Sequence, residues 1–298
     1  MGRKKKGIPI HGWLIIDKPL EISSNNVVGK ARWLTKAQKV GHGGTLDPLA
    51  SGVLPLAFGE ATKTVSFVMD GTKTYRFEVT WGETRTTDDA EGEVSATCDK
   101  RPTRAEIETV LPGFLGSIEQ IPPKFSAIKI NGQRAYKLAR ADEDIEMTAR
   151  TVQIDRLELI DIPDSNRAVF EVDCGKGTYV RSLGRDIAAK LGTLGYISIL
   201  RRTKVGPFDE KSAISLDFLE EIVHSDALFE SLLAIETVLD DISALALSEE
   251  EARKIRQGMP LHRDLDNTPT LRLMYEDKLL ALAKIEDGFI RPFRVFNY

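Results

Sequence analysis

A glycine-dense loop that runs into an apolar segment constrains this chain more than any other stretch. Residues 41–63 read GHGGTLDPLASGVLPLAFGEATK. The glycines allow backbone conformations closed to other residues and let a second molecule approach closely. Pro48 disfavours helical geometry at Asp47. We therefore expect Asp47 on a stiff loop before a buried strand at Val53–Phe58, where a carboxylate can react. The same pattern is also typical of a tight turn whose aspartate bonds its own backbone.

The charge is unevenly distributed along the sequence. Residues 1–208 hold 31 Lys+Arg against 26 Asp+Glu, whereas residues 209–298 hold 10 against 19. The basic excess therefore lies with the glycine loop, although the whole chain carries −4. Local positive charge governs phosphate binding more than the sum does, so nucleic acid is a reasonable partner. A solvated lysine-rich tail beside an acidic helical segment explains the same composition.

Several classes of protein are disfavoured by what the sequence contains. No segment reaches the roughly 20 apolar residues of a membrane span. Residues 1–9 form a basic tail without the apolar run of a signal peptide. Only two cysteines, Cys98 and Cys174, and four scattered histidines occur, without metal-ligand spacing. We expect a cytoplasmic protein with no metal site.

Hydrophobic periodicity predicts alternating strands and helices along the chain. The predicted strands are His11–Asp17, Lys73–Trp81, Arg150–Ile160, Ala168–Cys174 and Ile197–Leu200, with two or three more after Leu247. The predicted helices are Ser24–Lys36 with Ser24 as N-cap, Glu60–Met69, one opened by the Thr103–Glu106 capping box, Tyr179–Leu191, a helical stretch over Asp209–Asp241, and Glu249–Gln257. A strand, turn and short helix are predicted for Phe125–Ile130, Asn131–Gly132 and Gln133–Arg140, and an acidic surface loop for Gly82–Thr97.

Three separated motifs together resemble one known family. They are Gly41–Pro55, Lys73–Tyr75 and Cys174–Arg181, the last reading CGKGTYVR. Their combination is similar to the TruB-type tRNA pseudouridine synthases, and the likeness covers about residues 10–208. Glu21 departs from the family pattern, which usually has glycine there, and this puts the local turn geometry in question.

The resemblance implies an α+β pseudouridine synthase fold, with a mixed, largely antiparallel sheet and flanking helices. It places this catalytic domain at residues 10–243. A small β-rich domain, PUA-like or a related RNA-binding type, would occupy residues 244–298.

The resemblance also implies roles for individual side chains. Asp47 would be the nucleophile, Arg181 would pair with it, and Tyr75 would stack on the target uracil as the candidate general base. His42 would fill the space that a flipped base leaves, although a loop histidine bonded to backbone is equally consistent with the sequence. The substrate-binding positions implied are His42, Leu200, Lys18, Gly44 and Tyr179.

The activity implied is isomerisation of uridine to pseudouridine in the T loop of tRNA, at position 55, by base flipping and without metal or redox cofactor. The expected partner is the tRNA T-arm, with no membrane and no obligate protein partner, and the protein is expected to be a monomer. Three alternatives stay open at this point. They are a non-catalytic tRNA-binding or folding protein, a related synthase acting on ribosomal RNA or in a guide-RNA particle, and a nucleotide-binding protein. The last lacks a Walker lysine and a GxGxxG motif.

Overall fold

A computed structural model describes residues 7–126, 128–130, 132–141 and 147–297. Most of the predicted basic tail, together with Ala127 and the turn residue Asn131, lies outside these residues.

Strands dominate the described part of the chain. The strands are β1 (Gly12–Lys18), β2 (Val40–His42), β3 (Ala50–Phe58), β4 (Lys73–Trp81), β5 (Glu83–Arg85), β6 (Val94–Thr97), β7 (Gly116–Gln120), β8 (Lys129–Ile130), β9 (Gln133–Arg134), β10 (Arg150–Asp164), β11 (Arg167–Cys174), β12 (Gly195–Val205), β13 (Phe208–Asp209), β14 (Ala244–Ala246), β15 (Leu261–His262), β16 (Thr268–Tyr275), β17 (Lys278–Glu286) and β18 (Phe289–Val295).

The helices are shorter and lie between the strands. The α-helices are α1 (Ser24–Thr35), α2 (Val65–Asp70), α3 (Arg104–Val110), α4 (Ala135–Arg140), α5 (Val180–Lys190), α6 (Leu216–Ile222), α7 (Ala227–Glu230) and α8 (Glu249–Arg256). The 3₁₀ helices are Gly59–Lys63, Leu111–Phe114, Glu210–Ser212 and Ile235–Val238. None of the described helices is both long enough and apolar enough to cross a membrane.

The larger sheet has nine strands in the order β1-β3-β12-β4-β11-β10-β7, with β2 added to β3 and β13 to β12. Its pairs are antiparallel except β3 with β12, which run parallel and bring Leu200 opposite Ala50. Only glycine fits at position 52, since a Cβ there would lie 2.2 Å from the Arg202 carbonyl oxygen. The sheet confirms the predicted mixed, largely antiparallel architecture.

Apolar faces explain how the sheet is covered. The predicted face of β4, with Phe77, Val79 and Trp81, packs against the apolar stripe of α5. Buried residues of β1 and β3 form a second apolar cluster with α1, to which α1 contributes Val27 and Ala31. The hydrophobic effect thus fixes α5 and α1 on the strands that frame the glycine loop.

The C-terminal strands form a five-stranded sheet of their own, in the order β14-β16-β17-β18-β15. Two of its residues, Leu279 and Leu282, and Phe296 just after β18, share an apolar cluster with Trp13 of β1. The predicted helix and strands of this β-rich part are confirmed, while the division at residues 243/244 stays a prediction.

Some local expectations were wrong. Ser23 is the N-cap of α1, accepting a hydrogen bond from the Asn26 amide, because the buried Ser24 hydroxyl is bonded to Leu46 instead. The strand expected to end at Leu200 continues to Val205. Of the strand expected at Phe125–Ile130, the described residues form only β8, and the helical content of 209–241 is broken into short pieces.

The acidic segment Gly82–Thr97 is not a plain surface loop. Strands β5 and β6 pair as a hairpin, and its tip turns inward, so that Thr87 and Asp89 are buried. Two arginines of α5 neutralise the tip, since Arg185 binds Asp88 at 2.9 Å and Arg181 faces Asp89. Buried carboxylates require such partners.

Candidate active site

A cleft of about 590 Å³ opens beside the glycine loop. Its walls come from residues 44–47, the start of β4, and the turn that joins β11 to α5. The side chains or backbone that line it include Gly44, Asp47, Asp70, Lys73, Tyr75, Arg150, Lys176, Tyr179, Arg181, Leu200 and Arg202. Its volume is in the range of small-molecule sites, so it has room for one nucleotide.

Asp47 and Arg181 meet in this cleft although 134 positions separate them in the sequence. The Arg181 Nη2 atom lies 2.9 Å from Asp47 Oδ2. The Asp47 side chain is 48% exposed, whereas the Arg181 side chain is 6% exposed. The carboxylate is therefore held from behind by a buried guanidinium and keeps an open face toward the cleft.

Arg181 is itself fixed by three further contacts. Its Nη1 donates to the Thr87 carbonyl at 2.9 Å and lies 3.5 Å from Asp89 Oδ2, and its Nη2 donates to the Phe125 carbonyl at 2.9 Å. A cation in the first turn of α5 opposes the helix dipole. The two carboxylates offset that cost, and the planar fork leaves the guanidinium one orientation.

Arg202 holds the glycine loop through its backbone carbonyls. It is 1% exposed, and it donates to the carbonyls of Gly44, Thr45 and Val53 at 3.1, 3.3 and 2.8 Å. Among the ion pairs of the described residues, Arg202 has no carboxylate partner within 4.0 Å. A buried guanidinium bonded to backbone carbonyls and lying beside the Tyr75 phenol, without a carboxylate, leaves the cleft floor positively charged.

Lys18 lies behind the loop and does not line the cleft. Its ammonium is fully buried and donates to the carbonyls of Pro19, Ile22 and Pro48 at 2.8, 2.8 and 3.2 Å. Burial lowers the pKa of Lys18 to about 8, an effect that the charge of Asp47 opposes. Glu21 keeps the left-handed conformation, with φ of 66°, that suits the glycine usual in the family.

Tyr75 lines the cleft at the start of β4. Burial raises the pKa of Tyr75, and the positive charge of Arg202 opposes that rise. Its phenol is therefore protonated at neutral pH, a form suited to stacking on a base. To accept a proton it must first become a phenolate, which the charge of Arg202 favours.

Three other predicted positions also reach the cleft. Leu200 and Gly44 line it, and Gly44 has φ of +123°. Tyr179 lines it from the N-cap of α5, and its backbone amide donates to Gln120 Oε1 at 2.7 Å. Burial raises the pKa of the Tyr179 phenol.

His42 stands at the end of β2, next to the cleft rather than in its lining. Burial and the charge of Arg202 lower its pKa, so the ring is neutral at pH 7. Its Nδ1 accepts a hydrogen bond from the Gly44 amide at 3.4 Å. The backbone contact expected of an ordinary loop histidine is thus present.

Sequence reasoning missed Asp89 and Arg202. Asp89 was grouped with surface acids, and the inward turn of the hairpin tip has no local signal. Arg202 lies two residues beyond the strand predicted at Ile197–Leu200. Strand alternation offered a weak signal, since Leu200 and Arg202 must share one face.

No group of three or more His, Cys, Asp or Glu side chains could hold a metal ion in the described part of the chain. The buried or half-buried acids Asp88 and Asp89 at the tip of the β5–β6 hairpin are instead paired with arginines.

Family models match most of the chain. One described as "TruB family pseudouridylate synthase (N terminal domain)" matches residues 32–180. Another, described as "tRNA pseudouridylate synthase B C-terminal domain", matches residues 181–240. The first matched segment ends at residue 180 and the second begins at residue 181. Tyr179 lies in the first segment and Arg181, which contacts Asp47, lies in the second, so both segments contribute to the cleft.

Curated relatives match along nearly their whole length. Proteins named tRNA pseudouridine synthase B from Caulobacter vibrioides and Rhodospirillum rubrum are 48% and 50% identical. Each alignment covers 100% of this chain, with 99% of the first protein and 100% of the second. The protein of that name from Bradyrhizobium diazoefficiens is 52% identical over 97% of this chain and 86% of its own length.

Solved structures share the fold. A chain of a Cbf5-Nop10-Gar1 complex superposes with a TM-score of 0.73 at 25% identity, covering 96% of this chain and 85% of that one. A chain of an archaeal box H/ACA sRNP Nop10-Cbf5 complex gives 0.73 at 23% identity, covering 100% and 93%. The second likeness shows the fold alone.

Proposed function

Because the chain belongs to the TruB family of pseudouridylate synthases, we propose that it isomerises uridine to pseudouridine at position 55, in the T loop of tRNA. The observation that carries this proposal is the contact between Arg181 and Asp47 at 2.9 Å in an open cleft. The names of relatives about 50% identical over the full chain support tRNA as the substrate.

The reaction breaks the N1–C1′ bond of the nucleotide, turns the uracil and joins C5 to C1′. The proton that C5 loses is balanced by the proton that N1 gains, so no oxidant or reductant is consumed. Asp47 is the nucleophile that stabilises the detached fragment until C5 is bonded. Arg181 keeps the carboxylate aimed at the open side of the cleft.

The target base must leave its stack before it can reach Asp47. Flipping a nucleotide costs a few kcal/mol. Tyr75 and Leu200, which line the cleft, provide an aromatic and an aliphatic surface that recover part of this cost. We assign the vacated space in the RNA to His42, whose neutral ring is beside the cleft.

Removal of the C5 proton is assigned to Tyr75. Its hydroxyl is protonated at rest, and the nearby charge of Arg202 lowers the cost of its phenolate. Lys18 acts through the loop, because its ammonium donates to the backbone carbonyls of Pro19, Ile22 and Pro48. It is therefore a positioning residue rather than an RNA contact.

Residues 10–243 are proposed to be the catalytic domain and residues 244–298 a small RNA-binding domain that holds the tRNA outside the T loop. The protein is proposed to act as a monomer without a protein partner. Purified protein alone should then suffice for activity.

Tritium release from a tRNA transcript labelled with [5-³H]uridine tests the proposal directly. Purified protein should release one tritium per transcript without added RNA, metal or cofactor. A transcript with cytidine at position 55 should release none. No release from the first transcript would reject the function, and release from both would reject the position.

A further inference from the structure

An ion pair that the reaction does not use joins two walls of the cleft at its rim. Asp70 is the last residue of α2, and Lys176 lies in the turn between β11 and α5. Lys176 Nζ lies 2.8 Å from Asp70 Oδ1, with the two side chains 70% and 59% exposed. Both residues line the cleft.

The cationic side chains deeper in the cleft are already bonded to other groups of the protein. Lys73 is buried and donates to the carbonyls of Met69 and Gly71. Arg181 binds Asp47, and Arg202 binds the glycine loop. An anion that enters the cleft therefore meets the exposed side chains of Lys176 and Arg150 first.

Asp70 is poorly placed for stability alone. A carboxylate at the C-terminal end of a helix opposes the helix dipole, and an exposed ion pair contributes little because water and salt screen it. At the mouth of a cleft that admits RNA, the same carboxylate also repels the phosphates of the substrate. These costs point to a role in substrate entry.

We propose that the Asp70–Lys176 pair is an exchangeable closure of the cleft mouth, in which Lys176 leaves Asp70 for a substrate phosphate when RNA binds. The proposal rests on the proposed function, since it requires an RNA substrate. The exchange is easy because one exposed charge contact replaces another. An RNA that cannot place a phosphate at Lys176 meets only the repulsion of Asp70, so the pair disfavours wrong partners.

Binding of a T-arm stem–loop RNA to the full-length protein tests the closure. Asp70→Asn should tighten the dissociation constant about threefold or more, because Lys176 is then free. Lys176→Gln should weaken it about tenfold and reduce the slope of log affinity against log salt by about one. In the double variant, the gain from Asp70→Asn should be clearly smaller than in the parent, since only the repulsion of Asp70 is then removed and Lys176 is no longer there to be released.

Glu108→Gln provides the matched control. Glu108 forms an exposed pair with Arg104 on α3, at 3.2 Å and outside the cleft lining. It removes the same charge, so an affinity within twofold of the parent separates the local exchange from a general gain of positive charge.

The outcomes of this experiment decide the proposal. Unchanged or weaker binding by Asp70→Asn, an equal gain in the Lys176→Gln background, or an unchanged salt slope for Lys176→Gln would each overturn it. Because both residues are exposed, unchanged thermal unfolding should verify that the variants are folded. Tritium release by the parent protein is measured in parallel, so failure of the closure is distinguished from failure of the function itself.

Discussion

The floor and the mouth of the cleft are built in opposite ways. At the floor, the loop that carries Asp47 is held by buried side chains, with Lys18 and Arg202 bonded to its carbonyls and Ser24 to both polar atoms of Leu46. At the mouth, Asp70 and Lys176 make one exposed contact. The comparison teaches that the Asp47 carboxylate is held in one position by buried contacts, while the single exposed pair at the entrance is held weakly.

Removing the carboxylate proposed to be the nucleophile should give the largest effect. Asp47→Asn keeps the shape and hydrogen bonding of the side chain but cannot attack, so tritium release should be abolished. RNA affinity should stay within about tenfold, or ~1.4 kcal/mol, because the mouth is unchanged. Single-turnover assays and binding measurements on the same preparation check both parts.

Thr72→Ala, a change at an exposed position just before β4, serves as the control and should behave like the parent. Turnover by Asp47→Asn above the level of contaminating enzyme would remove Asp47 from the nucleophile role.

Changing the partner of Asp47 should give the next largest effect. Arg181→Lys keeps the charge but loses the planar fork, so turnover should fall at least ~10²-fold, the scale found when a reacting group is misplaced. Arg181→Met should lose more, because it leaves Asp47 and Asp89 without their cation. Single-turnover rates at saturating enzyme measure the loss, with RNA affinity nearly normal for Arg181→Lys. If Arg181→Met reacts as fast as the parent, the reaction does not depend on the contact between Arg181 and Asp47.

The buried lysine of the floor should produce a pH-dependent effect on stability. The pKa of Lys18 is about 8 in the folded protein against 10.5 ordinarily. Between these values the unfolded chain binds more protons, so the free energy of unfolding rises with pH. Lys18→Met lacks this gain. The stability of the parent relative to Lys18→Met should therefore grow by about 2–3 kcal/mol from pH 8 to pH 10.5.

Urea unfolding of both proteins across this range gives the difference directly, and groups common to both cancel. A difference that stays constant with pH would show that the Lys18 amine titrates as an exposed lysine does.

Removing divalent ions should give the smallest effect. Guanidinium groups of the protein itself supply the positive charge at the floor, so tritium release from pre-folded tRNA should survive exhaustive chelation in monovalent salt. A strict requirement for a divalent ion on that substrate would contradict this expectation.

Local patterns predicted much of the fold. The alternation in β4 and the apolar spacing in α1 and α5 identified those elements and their buried faces. Local patterns did not predict structure that depends on contacts between residues far apart in the sequence. The strand predicted to end at Leu200 continues to Val205, because its backbone pairs with β4 and the buried Arg202 side chain finds the carbonyls of Gly44 and Val53.

The site was predicted chiefly through motif resemblance. The motifs brought Asp47, Tyr75 and Arg181 together, and the structure places all three at one cleft. Leu200, outside these motifs, was also predicted from the family likeness and lines the cleft, but other positions outside the motifs were missed or expected elsewhere. Asp89 reaches Arg181 only through the inward turn of the β5–β6 hairpin, and Lys18 was expected at the RNA but lies behind the loop.

The parallel pairing of β3 with β12 has a consequence for how the enzyme is made. Arg202, which holds Gly44 and Val53, is synthesised about 150 residues after the loop that it clamps. At roughly 5–20 residues per second, a ribosome needs about 8–30 s to cover that distance. Asp47 is therefore present in the nascent chain for many seconds before Arg202 can hold the loop around it. A newly made molecule can complete this site only after β12, and with it most of the larger sheet, has been synthesised.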